Sequence, residues 1–481
     1  MGINSFQRMQ SENSVLLFSK HPLLFTLVAR KFNKVLGFYC MNNHSLMRHL
    51  LSFFILLNVS FYGYTQTLHE KAKEVSLQLS ETLKSKDYNG LYMFFAKDLA
   101  NALPQSRIEA LLTQLSTQFG DLDSILMFSV EERAEITYFR RGLTFGTQKF
   151  DLIFSFNNQE KVNSLRISNH LDKRPWKKPT YVDLENIQTK AIKIGTESPL
   201  NGEYSTSTKG KSTTTVVMVH GSGPNNMNER LGPNELFKDM AYGLASQGIN
   251  SIRYNKRSYE YGSQMVKQMN SITIEDIVVK DAVLAVEKAR EMGAQKVILL
   301  GHSLGGHIAP MIAEQVMLDA VIVMAGNASP LYSLIVPQFE YILQNDPESS
   351  INEFQVNMIK GQVQLVEEGN FDSSTPAAAL PLNMPASFWN SLKDYNPAKI
   401  AKKQDIPYLI LNGGRDYQVT PEEAKKWKNG NKKAQSNTII YSKLNHMFFM
   451  GEGVCIPAEY SKRGNLEEKV LIDIVKWIKA L

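Results

Sequence analysis

The stretch that most limits what this chain can become is Val297-Ile298-Leu299-Leu300-Gly301-His302-Ser303-Leu304-Gly305-Gly306-His307. Four apolar residues run straight into Gly-His-Ser-Leu-Gly-Gly. Ile308, Ala309, Met311, Ile312 and Ala313 then follow at helical spacing. This order predicts a buried strand, a very tight turn and a helix. The centre is Gly-x-Ser-x-Gly, a turn that exposes a serine hydroxyl at the end of a strand. Gly301 and Gly305 have a steric task, because side chains two residues either side of the serine would collide across the turn. The helix that follows points its N-terminus at Ser303, where free N–H groups can stabilise an oxyanion. The pentapeptide alone is weak evidence. The strand before it, the helix after it and the extra Gly306 make it a nucleophile elbow.

A serine nucleophile needs a base, and the base needs an orienting acid. In this chain order the acid and then the histidine follow the serine. Only two histidines lie beyond Ser303. His307 sits one turn along the elbow helix and points the wrong way to take the proton. His446, in Lys443-Leu444-Asn445-His446-Met447-Phe448, comes just after the last expected strand and is the expected base. Asp405 precedes its strand and so lies at the wrong end. Asp416 follows Tyr408-Leu409-Ile410-Leu411-Asn412-Gly413-Gly414-Arg415 and is the expected acid. The oxyanion needs two N–H donors. Leu304, the residue after the nucleophile, supplies one. The loop His220-Gly221-Ser222-Gly223-Pro224 supplies the other, from Ser222 or alternatively Gly223, its glycines letting the backbone approach the substrate. His220 is expected to shape that loop.

The 481 residues are enough for two or three domains. The net charge of +6 is unevenly placed: residues 1–66 hold Arg8, Lys20, Arg30, Lys31, Lys34 and Arg48 against Glu12. The basic balance therefore resides in the leader and gives no argument for nucleic acid. Within it, Arg48 and His49 precede the apolar run Leu50–Leu57, and Gly63, Tyr64 and Thr65 follow. A basic start, a short apolar run and small residues read as a signal peptide at about 41–65, with 1–40 as an upstream extension of the reading frame or, equally, a genuine and unusual N-terminus. The run is short for a membrane span, so the mature protein should be exported, periplasmic or extracellular, without a stable span. Of Cys40 and Cys455, only the second would survive removal of the leader. That excludes an internal disulfide and a cysteine-rich metal site.

Residues 67–170 form a separate small module. Helical patterns at 68–83, 88–99 and 106–119 precede strand-like runs at 124–130, 135–140, 143–156 and 161–168. Helices first and strands after predict an α+β fold. No catalytic constellation stands out in it, and Glu131, Glu132 and Glu135 read as a solvated turn. Residues 171–180, with two prolines and four basic residues, read as a linker that Trp176 pins to one neighbour. From Tyr181 strands and helices alternate. Strands are expected at 213–220, 250–255, 296–303, 320–326, 408–413 and 437–443. Helices are expected at 233–247, 274–292, 304–315, 421–429 and 466–481. This predicts a doubly wound, mostly parallel sheet over 181–481, with its chemistry at the carboxyl ends of the strands. The alternation breaks at about 327–397, which suits a helical lid. Phe339, Tyr341, Phe354, Met358 and Trp389 could line an acyl pocket there or simply form the lid's core.

Several motifs occur in order: His220-Gly221-Ser222-Gly223-Pro224-Asn225, Arg253-Tyr254-Asn255-Lys256-Arg257, Gly301-His302-Ser303-Leu304-Gly305-Gly306, Gly414-Arg415-Asp416-Tyr417-Gln418-Val419, Leu444-Asn445-His446 and Gly451-Glu452-Gly453. Together they resemble the bacterial α/β-hydrolase esterases of the EstD type. Such relatives often carry a small N-terminal domain similar to the nuclear-transport-factor-like fold. The resemblance covers about 67–481 and implies carboxylic ester hydrolysis, with Ser303, Asp416 and His446 at the triad positions and no cofactor or metal. The chain departs from that pattern at Asn226, Asn228 and Asn255, where the family usually carries acids. The expected function is thus a serine esterase acting on a small-molecule ester through an acyl-enzyme. A serine peptidase or aminopeptidase on the same fold is the alternative. It would need a carboxylate for the substrate amine, with Glu367 and Glu368 as candidates. A silent binding protein is the remote alternative.

Overall fold

The computed structural model describes residues 68–133, 136–170, 174–210, 212–428 and 435–481. The leader, with its expected signal peptide, lies outside the described residues. The chain divides into two compact units, Met1–His170 and Leu171–Leu481.

In the first unit a helix over 68–85 buries Ala72, Val75, Leu79 and Leu83, the stripe that a 3.6-residue period lays on one face. Short helices Tyr88–Tyr92 and Lys97–Ala102 replace the single one expected at 88–99, and Gln105–Phe119 follows. Four strands then form an antiparallel meander: β1 (Leu122–Arg133), β2 (Ile136–Phe145), β3 (Gln148–Phe156) and β4 (Val162–Asn169). Inward residues Phe139, Leu143, Leu152 and Phe154 join the helical stripe in one core. The run expected as one strand over 143–156 is broken by a hairpin at Gly146. That residue has φ +52°, and a Cβ there would lie 2.0 Å from the Phe119 carbonyl oxygen. Glu131 does not sit in a solvated turn. It belongs to β1 and pairs with Arg133 at 2.7 Å and Arg140 at 2.7 Å. Burial of both guanidinium groups demands that carboxylate. Glu135 lies outside the described residues.

The second unit is built on an eight-stranded sheet. Its strands are β5 (Ile187–Ile194), β6 (Leu200–Ser207), β7 (Thr214–Val219), β10 (Asn250–Tyr254), β11 (Lys296–His302), β12 (Ala320–Met324), β13 (Tyr408–Gly413) and β14 (Asn437–Tyr441). Two short strands, β8 (Arg230–Leu231) and β9 (Asn234–Glu235), form a separate ribbon. The sheet order is β14-β13-β12-β11-β7-β10-β6-β5, parallel from β14 to β10 and antiparallel through β6 and β5. That edge pair carries polar residues such as Lys190, Lys193 and Asn201 between its apolar ones, so it lacks the apolar run that marks the central strands.

The central strands feed both faces alternately. Val217, Val219, Leu299 and Val323 enter one core, with the helices Lys280–Glu291 and Leu304–Ala313. Val216, Met218, Leu300 and Met324 enter the other, with Leu236–Ser246 and Glu468–Lys479. Period-two alternation with apolar residues on both faces is what a parallel sheet covered by helices requires. After β7 the chain moves to β10 on one side and then crosses to β11 on the other. This creates the crevice where ligands bind in open parallel sheets. The helix expected over 274–292 begins as a π-turn, Glu275–Val279, before Lys280–Glu291.

Trp176 holds the start of this unit. Its indole N–H donates to Asp239 at 2.7 Å and its ring meets Tyr242 edge-on. Between β12 and β13 comes the insertion, with helices Ile335–Asn345, Glu353–Glu368, Ala386–Ser391 and Pro397–Lys403. Asn352 and Gln355 form a capping box at the start of Glu353–Glu368, and Gly369 ends it in the left-handed region. The base of the insertion is tied down by Glu423, which accepts from the N–H groups of Ala328 and Ser329 and the Ser329 hydroxyl, each at 2.8 Å. Among the described residues no helix is long and apolar enough to cross a membrane.

Candidate active site

Ser303 follows β11 immediately, with φ +52° and ψ −116°, a backbone region that costs a non-glycine residue energy. The neighbouring glycines make the turn possible. A Cβ at Gly301 would lie 2.3 Å from the Gly305 carbonyl oxygen, and one at Gly305 would lie 2.2 Å from that of Val219. Leu304 begins the helix Leu304–Ala313, so its N–H has no intrahelical acceptor.

His446 lies in the loop after β14, and Asp416 in the loop after β13. Parallel pairing of the two strands, Gly413 beside Tyr441, brings these loops together. His446 Nδ1 is 2.7 Å from Asp416 Oδ2. The other oxygen of Asp416 accepts from the N–H groups of Gln418 at 2.8 Å and Val419 at 2.9 Å, so the carboxylate cannot rotate freely. Asn445 fixes the histidine loop by accepting from Met447 and Phe449 N–H. With Nδ1 engaged by the acid, Nε2 of His446 is the acceptor of its ring.

Ser303, His446, Leu304 and Ser222 line one cavity of about 300 Å³, closed on the insertion side by Leu331, Leu334, Ile335 and Phe339. Gly221 lies against Ser303: a Cβ there would be 3.1 Å from Ser303 Cβ. Gly223, with φ +86°, turns the loop and is not among the lining residues. Of the five insertion residues considered for an acyl pocket, only Phe339 lines the cavity. Tyr341 stacks on Tyr417, Trp389 is buried in the core, and Phe354 and Met358 are exposed. Tyr341 and Trp389 follow the insertion's own packing and Phe354 and Met358 face away from it, a division the periodicity could not rank against the cavity.

The remaining histidines have structural partners. His307 accepts no role at the cavity: its Nδ1 meets the Asn327 carbonyl at 2.9 Å, and burial pulls its imidazole down to about 4. His220 Nε2 meets the Asn226 carbonyl at 3.1 Å, and burial likewise pulls it down to about 4.

A second layer, of which Glu229 and His302 also line the cavity, was not legible in the sequence. Glu229 Oε1 accepts from Gly221 N–H at 2.6 Å and stands 3.1 Å from His302 Nδ1. His302 Nε2 donates to the His446 carbonyl at 3.0 Å. Burial opposes the His302 cation, yet Glu229 beside it holds the imidazole above its ordinary range; burial also opposes the Glu229 charge, which His302 in turn favours, keeping that carboxyl low. Lys256, 4% exposed, donates to the Gly221 carbonyl at 2.7 Å. Burial draws its ammonium down to about 8, against Glu229 and Asp281. The asparagines that replace expected acids are used. Asn228 bonds Glu235 at 3.1 Å and accepts from Arg253, while Asn255 bonds Glu260 at 2.8 Å. The one local signal for this layer was the basic pair Lys256-Arg257 just beyond β10.

A strained serine on an elbow, an acid-backed histidine and a cavity between them on a doubly wound sheet define a serine hydrolase of the α/β-hydrolase fold. Comparison with known proteins agrees. The family described as serine aminopeptidase, S33, matches residues 210–452, and one described as a protein of unknown function (DUF3887) matches residues 76–165. Esterase EstD of Thermotoga maritima is 30% identical over 400 residues, covering 82% of this chain and 92% of its own. The chain belongs to this serine hydrolase family and is a homologue of esterase EstD over most of its length. Solved structures similar to it include the Pyrococcus furiosus esterase Pf2001, at 13% identity, with 65% of this chain and 98% of that one covered and a TM-score of 0.39. Est1E of Butyrivibrio proteoclasticus with bound ferulic acid is another, at 14% identity, 60% and 100% coverage and a TM-score of 0.40.

Proposed function

We propose that Ser303, His446 and Asp416 carry out carboxylic ester hydrolysis through an acyl-enzyme. The chain is a serine ester hydrolase, and the observation that supports these residue roles is the 2.7 Å contact of His446 with Asp416 at the cavity that Ser303 lines. The Ser303 hydroxyl attacks the acyl carbon as His446 Nε2 takes its proton. Asp416 holds the imidazole and favours its charged form. The N–H groups of Leu304 and Ser222 receive the oxyanion of the tetrahedral intermediate. His446 returns the proton to the leaving alkoxide. A water, deprotonated by the same imidazole, then releases the carboxylic acid.

Esters are favoured over aminoacyl amides because Glu367 and Glu368 lie off the cavity, at the end of Glu353–Glu368, and Glu229, the carboxylate that lines it, is buried against Gly221 N–H and His302. A fluorophosphonate probe should label the protein at Ser303. Short p-nitrophenyl esters should turn over far faster than aminoacyl anilides, and the reverse order would establish the peptidase reading.

We further propose that the protein is exported after cleavage near Gln66. The order of basic, apolar and small residues over 47–66 supports this. N-terminal sequencing of secreted or periplasmic material is expected to begin near residue 66. A mature chain still starting at Met1 would refute it.

A further inference from the structure

The second layer clamps one residue of the oxyanion loop from both sides. Gly221 N–H is held by the Glu229 carboxylate at 2.6 Å, and Gly221 C=O by the Lys256 ammonium at 2.7 Å. The Asn225 side chain adds a longer bond to that carbonyl at 3.3 Å. Lys256 is also tied to the loop through its own N–H, which donates to the Asn225 carbonyl at 3.0 Å. Among the described residues Gly221 O is the one acceptor bonded to the ammonium, which forms no salt bridge. Burying a cation on a single neutral acceptor is unfavourable, so such a group is kept where its charge has a use.

The use follows from which peptide the carbonyl belongs to. Gly221 C=O and Ser222 N–H are the two ends of one planar group, and in a trans peptide they point opposite ways. Holding the carbonyl outward on Lys256 turns the Ser222 N–H toward the cavity that Ser222 and Ser303 share. A cation on the oxygen also draws electron density from the nitrogen, which strengthens the N–H as a donor.

We infer that Lys256 is a positioning residue of the oxyanion hole, whose ammonium orients and polarises the Gly221–Ser222 peptide so that Ser222 N–H binds the tetrahedral oxyanion. This rests on the proposed reading of Ser303 as nucleophile and Ser222 as donor. The interaction strengthens as charge develops, so its loss lowers kcat and leaves KM nearly unchanged.

The test compares full-length parent, Lys256→Met and Lys256→Arg on p-nitrophenyl butyrate, together with the affinity of an alkyl trifluoromethyl ketone, whose serine adduct mimics the oxyanion. For Lys256→Met the expected result is a fall in kcat of roughly 10²-fold, ketone affinity weakened by a similar factor, and KM shifted less than about threefold. Lys256→Arg should recover most of both losses. A folded Lys256→Met whose kcat and ketone affinity stay within about threefold of the parent overturns the inference. If the methionine variant does not fold, the parent decides. The groups facing the ammonium are Glu229, Asp281 with its partner Arg257, His220 and Tyr254. Of these arrangements only Lys256 is drawn to about 8, so kcat should decline as pH rises through that value, and a flat profile to pH 10 overturns the inference. Fluorophosphonate labelling keeps the two levels apart. An unlabelled parent refutes the nucleophile itself, whereas a labelled parent with an unaffected Lys256→Met refutes only the role of Lys256.

Discussion

In the proposed mechanism Ser303, His446 and Asp416 contribute unequal things, and their substitutions should separate in order. Removing the Ser303 hydroxyl removes the covalent route. Removing the His446 imidazole leaves a neutral hydroxyl without a proton acceptor. Removing only the charge of Asp416 keeps a base, in a poorer tautomer and orientation, at a cost of up to ~10⁴ in turnover. Probe labelling of folded Ser303→Ala, His446→Ala and Asp416→Asn should therefore show none, none and slow reaction. A folded His446→Ala that labels as fast as the parent would transfer the base to another histidine. Lys256 carries a separate thermodynamic consequence. Its folded-state value of about 8 lies below the 10.5 of an ordinary lysine. Below pH 8 the native state thus bears the whole cost of the buried charge, about 3 kcal/mol. Between 8 and 10.5 the unfolded chain binds more protons, so stability rises with pH across that window. Lys256→Met should melt a few degrees above the parent at pH 7, by roughly 2–4 °C in calorimetry. A lower melting temperature would show that the ammonium holds the loop more strongly than its burial costs.

At the scale of elements, the elbow tolerates no side chain where β11 meets its helix. Gly305→Ala would place a Cβ 2.2 Å from the Val219 carbonyl oxygen, which is backbone and cannot swing aside. It should cost several kcal/mol and abolish turnover, read by denaturant melts and probe labelling. Gly361→Ala, on the open face of the helix Glu353–Glu368 with open space around it, should be neutral or slightly stabilising by the same melts. The insertion acts through fewer residues than its apolar content suggests. Phe339 lines the cavity beside Leu331, Leu334 and Ile335. Phe339→Ala should shift the preference of kcat/KM toward longer acyl chains by about tenfold, one or two methylenes' worth of binding. A panel of p-nitrophenyl esters from acetate to decanoate measures it, and an unchanged preference would place the acyl group elsewhere.

For the whole molecule, each unit has its own core. One draws on residues between Ala72 and Val162, and the other's two clusters draw on residues from Ile192 onward. Among the described residues, each one lining the Ser303 cavity belongs to the second unit. A truncated chain spanning 171–481 should fold and retain ester turnover within about threefold of the full-length protein, since the described cores and cavity residues of that unit all lie within it. If Ser303 still labelled normally while turnover was lost, the first unit would contribute to substrate handling.

The sequence by itself determined the elbow turn, the order in which Ser303, Asp416 and His446 follow strand ends, and the run of central parallel strands. Each of these is written in a local period, a glycine with one steric purpose, or a position just past a strand. Ser303, Asp416 and His446 could be assigned because the fold places chemistry at strand carboxyl ends, and the strands were visible as apolar runs. Only tertiary structure decided the rest. The polar strands β5 and β6 have a weak local signal and exist through pairing, β6 with β10 and β5 with β6. Tyr341, Trp389 and Phe339 look alike in sequence, and packing alone sent one of them to the cavity. Glu229, His302 and Lys256 are scattered over 74 positions and read as ordinary residues of a loop, an elbow and a strand end. They become a network because β7 lies between β10 and β11, which brings three strand ends to one crevice. The burial that gives their charges effect is a property of that crevice, and no stretch of sequence carries it.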